Sequence, residues 1–221
     1  MKRIIACAFL LFTLLFSLNS CRVFGEVSRA IGFGDPDYSD EKVTGEVPLD
    51  GEVADEIASM IKMLSVDSVK LPEFSRTSDA ITLCHDSLLN YMLYTDYAKY
   101  AGNPDLLAEA EEEYPDLAVS QIIPASEFES MMYRCFGGTV KISHGDSKAF
   151  KYLPRVGAYI PIGHPISDAY DVTITEILET ENTYRVQFEC SNGKRTMRYS
   201  STLVKREDGT IYFQSVVSKN K

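Results

Sequence analysis

The sequence predicts an α+β fold in which N-terminal amphipathic helices pack on one face of a curved antiparallel meander sheet, closing as a cone or roll. Two observations carry this. Helical periodicity dominates residues 50–137 and gives way to alternation over 139–219. The alternating part is punctuated by Asn192-Gly193 and Asp208-Gly209, two hairpin signals that leave its apolar residues on one side only. A sheet with one apolar face needs a cover, and the preceding helices supply it.

The elements follow in order. Asp50 is placed to cap a helix whose stripe is Val53, Ile57, Met60, Ile61 and Leu64. A second helix is expected from Thr77 or Ser78 to about Gly102, with Ile81, Cys84, Leu88, Met92 and Thr95 on one face. Asn103 and Pro104 open a third, which Pro115 stops. Ser126-Glu127-Phe128-Glu129 reads as a capping box for a fourth, burying Phe128, Met131, Met132 and Cys135 and ending at Gly137.

After Gly138, Val140 and Ile142 begin the alternation, and Ala158–Pro161 and Val172–Leu178 are the next expected strands. A two-residue Asn192-Gly193 turn pairs Phe188 with Met197, Val186 with Tyr199 and Tyr184 with Ser201. Arg185, Gln187, Glu189, Arg198 and Ser200 then share the opposite, polar face. For the next hairpin, a three-residue Glu207-Asp208-Gly209 loop is expected, because it sets Leu203 against Phe213, Ser201 against Ser215 and Tyr199 against Val217.

The chain starts with Met1, Lys2 and Arg3, runs apolar from Ile4 to Leu18, and turns polar at Asn19-Ser20-Cys21. This fifteen-residue stretch, interrupted only by Thr13 and Ser17, falls short of the roughly 20 apolar residues needed to span a bilayer and fits a signal peptide instead. Leu18-Asn19-Ser20-Cys21 resembles the lipobox of bacterial lipoproteins. That resemblance implies a diacylglyceryl group on the Cys21 thiol, cleavage after residue 20, palmitate-type acylation, and a membrane-anchored place in the cell envelope. Residues 1–20 are thus expected as signal peptide, 21–48 as a flexible tether near 30 Å in end-to-end distance, and 49–221 as one α+β domain.

Without residues 1–20 the chain has 20 basic and 32 acidic side chains, a net charge of −12. Such a balance argues against nucleic acid as a partner and against electrostatic docking on anionic lipid. Cys84, Cys135 and Cys190 remain after Cys7 and Cys21, an odd number that suits buried thiols, with a Cys84–Cys135 bridge left open. No spacing of histidines or cysteines suggests zinc. Asp35, Asp37, Ser39 and Glu46 fall at calcium-loop positions, but Asp40 stands where glycine is needed and Pro36 beside the first ligand, so no metal or other cofactor is expected.

The helix "SEFESMMYRCFGG", the strand "TVKIS" and the hairpins "YRVQFECSNGKRTMRYSSTLVKREDGTIYFQSVV" together resemble the nuclear transport factor 2 type of roll over residues 77–219. Cystatin-type rolls share these features. The resemblance implies a pocket between the helices and the sheet, used by some members for isomerase or dehydratase chemistry. Function does not follow from fold.

Pocket candidates are few. Ser201 and Ser215, flanked by Tyr199 and Phe213, sit on the expected core side, either as a cross-strand pair or as a polar floor. Tyr91, Tyr94, Tyr97 and Tyr100 recur every third residue, a row that winds around its helix by about 60° per step rather than forming a platform. His85 cannot pair with adjacent Cys84, His144-Gly145-Asp146 reads as a turn or an oriented imidazole, His164 lies in a loop, and Glu111–Glu113 read as a solvated face.

The reading that results is a membrane-anchored extracytoplasmic lipoprotein whose domain binds a small molecule, glycan or protein without catalysis. A pocket enzyme of hydratase or isomerase type and a structural accessory of an envelope assembly are the alternatives.

Overall fold

Alternating and helical segments settle into six helices and two antiparallel sheets in the computed structural model, which describes residues 36–66, 70–138, 141–162 and 170–219. The described residues from Tyr38 onward form one compact unit. The expected signal peptide, Cys21 and His164 lie outside the described residues.

The elements are β1 (Gly45–Glu46), α1 (Glu52–Leu64), α2 (Thr77–Leu83), α3 (His85–Thr95), α4 (Tyr97–Ala101), α5 (Pro104–Glu113), β2 (Ile123–Pro124), α6 (Ala125–Phe136), β3 (Phe150–Leu153), β4 (Ala158–Pro161), β5 (Asp171–Glu179), β6 (Thr183–Ser191), β7 (Thr196–Lys205) and β8 (Ile211–Ser218). The larger sheet has the order β1-β5-β6-β7-β8 and the smaller one β2-β4-β3. Neither closes into a barrel, and no helix among the described residues is long and apolar enough to cross a membrane.

The stripe of α1 is buried as expected at Ile57, Met60, Ile61 and Leu64, and Ala54 and Met63 join it. Its cap is Gly51 in extended conformation rather than Asp50. The expected second helix is three pieces. Cys84 (φ −100°, ψ 0°) divides α2 from α3, and Asp96 (φ −143°, ψ 54°) divides α3 from α4, each departing from helical dihedrals. Helix α5 starts as expected, with the Asn103 side chain accepting from the Leu106 N–H at 3.2 Å.

The capping box expected at Ser126 does not form. Helix α6 begins two residues earlier, with Pro124 of β2 as its cap, and its Ala125 N–H donates to the Gly157 carbonyl at 2.8 Å. Ser126 therefore lies inside the first turn, where its carbonyl accepts from the Ser130 hydroxyl. Phe128, Met132 and Cys135 are buried as expected, and Cys84, Cys135 and Cys190 are buried free thiols.

The strand expected at "TVKIS" is also corrected. Residues 141–148 hold no strand, residues 139 and 140 lie outside the described residues, and the first described strand after α6 is β3. Side chains of His144, Asp146 and Ser147 bond to their surroundings and hold this stretch as a loop.

Both hairpins depart from the expected register in instructive ways. Phe188 faces Tyr199, Val186 faces Ser201 and Cys190 faces Met197, a slip of two residues that keeps every side chain on its expected face. The turn is centred on Gly193-Lys194 instead of Asn192-Gly193. Only Gly193 takes a positive φ (78°), the arrangement that places glycine first, while the Asn192 carboxamide accepts from the Lys194 and Arg195 N–H groups. In the second hairpin the three-residue loop forms and Leu203 faces Phe213. Beyond it a bulge shifts the pairing by one, so Ser201 faces Val216 and Tyr199 faces Ser218. That bulge buries Val216 fully and leaves Val217 43% exposed.

One core joins α1, α2, α3 and α6 to the apolar side of the larger sheet, with Phe128, Phe136, Phe150, Tyr159, Phe188, Tyr199 and Phe213 among its buried rings. A second apolar cluster holds Ala110 and the partly buried Leu106 and Leu107 of α5 with Leu153, Ala158 and Ile160 of the smaller sheet. The smaller sheet thus contributes side chains to both clusters.

The stretch expected to be tether is structured at its end. Gly45 and Glu46 pair with Glu179 and Leu178, and the Thr44 and Val47 N–H groups donate to the Glu179 and Ile177 carbonyls at 2.8 and 2.9 Å.

Candidate functional site

The five residues expected to line a pocket fall into two groups with separate roles. Tyr199 is buried, its hydroxyl accepts the Leu71 N–H at 2.9 Å and its ring stacks on Phe188. The Ser201 hydroxyl donates to the Ser215 carbonyl at 2.7 Å across the β7–β8 ladder, and the bulge sets Ser215 opposite Thr202, so the two serines do not face each other as a polar floor. Tyr91 packs at the margin of the main core, while Tyr94 and Tyr97 are 46% and 54% exposed. Tyr100 is buried, with its hydroxyl donating to Glu127 at 2.9 Å.

A different group converges beside the smaller sheet. Helix α6 presents Phe128 inward and Glu129 at the margin, β4 presents Tyr159, β3 presents Tyr152, and the loop between α6 and β3 brings His144 among them. His144 Nε2 lies 2.8 Å from Glu129 Oε1, and its Nδ1 lies 2.9 Å from the Tyr159 hydroxyl. Tyr152 stacks on the imidazole with ring centroids 5.0 Å apart. His85, at the start of α3, meets the edges of Phe128 and Tyr159 at 4.9 and 5.2 Å and places Nδ1 3.0 Å from Asp86. Further along the loop Ser147 Oγ accepts from the Ala149 and Phe150 N–H groups at 3.3 and 3.0 Å.

The bonding partners assign a complete chain of donors. The Glu129 carboxylate only accepts, so His144 Nε2–H donates to it, and Nδ1 of the neutral ring then accepts from the Tyr159 O–H. Burial pushes the Tyr159 hydroxyl up to about 12; the Gly145 N–H opposes this, and the nearby Tyr152 and Glu129 add to it. At Asp86 burial pushes upward too, but hydrogen bonds from His85 and Ser147 and the His85 charge outweigh it and hold the carboxyl below its ordinary range.

Chemically the triad can pass a proton between carboxylate and phenol through one imidazole. Both ring nitrogens are engaged, however, and Tyr159 is fully buried. No group of three or more histidine, cysteine, aspartate or glutamate side chains among the described residues is arranged to hold a metal ion.

Residues 144–146 lie in irregular backbone and form no turn, so the turn reading of His144-Gly145-Asp146 is corrected. The imidazole does meet a carboxylate, but that of Glu129, while Asp146 accepts the Tyr152 N–H at 2.9 Å. Glu129 and Tyr159 carried no local signal, since their meeting with His144 depends on how the α6–β3 loop folds back. No family model, curated protein or solved structure matches the chain.

Proposed function

We propose that this protein is an extracytoplasmic lipoprotein, held to a bacterial membrane through Cys21, whose α+β unit is a non-enzymatic binding domain of the nuclear transport factor 2 roll type. The observation that carries the reading is the order of basic start, apolar run and Leu18-Asn19-Ser20-Cys21. Two acyl chains on one cysteine give a stable anchor, because each buried methylene contributes roughly 0.8 kcal/mol and a single chain holds only marginally. Binding rather than turnover is supported by the polar groups themselves. The Ser201 hydroxyl, the Tyr199 hydroxyl and both His144 nitrogens already have protein partners, which leaves none of them aimed at a substrate.

Expression in a bacterium, followed by membrane fractionation and intact-mass measurement, tests the anchor. Wild-type chain is expected in the membrane fraction with a diacylated N-terminal Cys21, and Cys21→Ala in the soluble extracytoplasmic fraction, still folded. An unmodified N-terminal peptide on membrane-bound wild type overturns the reading.

The hydratase or isomerase alternative has one observation in its favour, the Glu129–His144–Tyr159 relay. It requires the relay to open toward a substrate. Turnover abolished by Tyr159→Phe in a folded protein would favour it.

A further inference from the structure

The chain enters the folded unit through a clasp at one end of the larger sheet. Glu41 accepts from the Thr180 hydroxyl at 2.6 Å and from the Asn182 backbone N–H at 3.2 Å, and its second oxygen accepts from the Asn182 carboxamide. One nitrogen of the Arg185 guanidinium donates to the carbonyls of Tyr38, Ser39 and Glu41 at 3.1, 3.0 and 2.9 Å. Thr180 and Thr183 beneath the clasp are buried, and β1 extends it along the edge of β5.

Three consequences follow from this placement. The clasp sits on the β5–β6 turn, at the same end of the sheet as the β7–β8 turn, since the Lys205 N–H donates to the Asn182 carbonyl at 2.8 Å. The Gly193 turn lies at the opposite end of the nine-residue strand β6, roughly 30 Å away at 3.3 Å per residue. Sixteen residues, 22–37, separate Cys21 from Tyr38; a flexible linker of that length would span about 20–24 Å, against about 30 Å for one running as far as Leu49.

We propose that the clasp makes the Thr180–Asn182 end of the sheet the face turned toward the lipid surface and the Gly193 hairpin the end turned away from it. This rests on the anchor reading above. The lipid surface is met because the chain is tied there and not by attraction, as the net negative charge gives anionic headgroups nothing to hold.

The chain contains no tryptophan, so one can be placed at either end as a reporter. Glu181→Trp and Lys194→Trp, both at exposed positions, are prepared in the mature chain and coupled through the Cys21 thiol to a maleimide-headgroup lipid in neutral phosphatidylcholine vesicles that carry a nitroxide headgroup quencher. Cys84, Cys135 and Cys190 are buried and do not compete for the maleimide. Coupling in this way separates the two readings: absence of native acylation refutes the anchor, whereas this measurement addresses the orientation alone.

Quenching of the tryptophan at 181 is expected to exceed that at 194 by a factor of about two, with the ratio falling toward one in Glu41→Ala/Arg185→Ala. Should that double variant unfold, a flexible Gly/Ser insertion after Asp37 that doubles the free tether provides the second arm, and it too is expected to lower the ratio. Equal quenching at the two positions with the clasp intact, or a ratio that neither change alters, overturns the proposal.

Discussion

His144 and Glu129 stand fifteen residues apart in the chain and meet at 2.8 Å across the loop that joins α6 to β3. With the Tyr159 bond on the other ring nitrogen, this pair ties an irregular segment to both a helix and a strand. His144→Ala removes both bonds and leaves the Tyr159 O–H without its acceptor in a buried position. A loss of about 1–3 kcal/mol in stability is expected, read from the urea midpoint. Tyr159→Phe deletes the orphaned group, so the double variant should be less destabilised than the sum of the singles by about 1 kcal/mol. Strict additivity would show that the triad is not a unit.

Tyr159 also predicts an alkaline limit. Its folded value, pushed to about 12, lies above the ordinary 10, so the fold favours the neutral phenol. The stability this contributes is complete below pH 10 and is lost as pH rises through the interval from 10 to about 12. Circular dichroism followed through that interval should show wild type losing stability more steeply than Tyr159→Phe, which has no phenol to ionise. Superimposable alkaline profiles would contradict the assignment.

Much of the architecture was legible because periodicity reports burial. The stripe of α1, the strand Ala158–Pro161 and the apolar side of β6 and β7 all follow from spacing alone. What escaped was set by individual backbone angles and by contacts distant in sequence. Asn192-Gly193 contains the right glycine, yet periodicity of two cannot distinguish a turn centred there from one centred a residue later, because both leave Phe188 and Val186 inward. The bulge that exchanges Val217 for Val216 is equally silent in an apolar pair of neighbours. The His144 cluster was hidden for a different reason: its members come from α3, α6, β3, β4 and a loop, and only the loop residue looked unusual in the sequence.

The clasp gives an acid-sensitive prediction of opposite sign to that for Tyr159. Burial acts to raise the Glu41 carboxyl, but bonds from Asn182 and Thr180 and the Arg185 charge outweigh it, and the group lies below its ordinary 4.5. Its stabilising contribution is therefore present above pH 4.5 and lost as the pH falls through the depressed folded value. Glu41→Ala should expose residues 38–47 to proteolysis at neutral pH, while wild type should do so only in acid. Resistance of the variant equal to that of wild type at neutral pH would mean that β1 pairing alone holds the segment.

Gly209 closes the β7–β8 turn at φ 84°, and a Cβ built there has no atom within 4 Å. Any penalty for a side chain is thus torsional, with no clash to relieve. A left-handed residue with a β-branched side chain costs roughly 1–2 kcal/mol, and for a unit of this size about 1 kcal/mol shifts the melting temperature by roughly 2–4 °C. Gly209→Val should accordingly melt several degrees lower, and Gly209→Asn should recover part of that loss because asparagine tolerates the left-handed region. The ordering matters more than the size of either change. Equal destabilisation by both variants would place the cost in lost solvation or packing instead of the backbone angle, and an unchanged Gly209→Val melting curve would remove the three-residue loop as a determinant of the Leu203–Phe213 register.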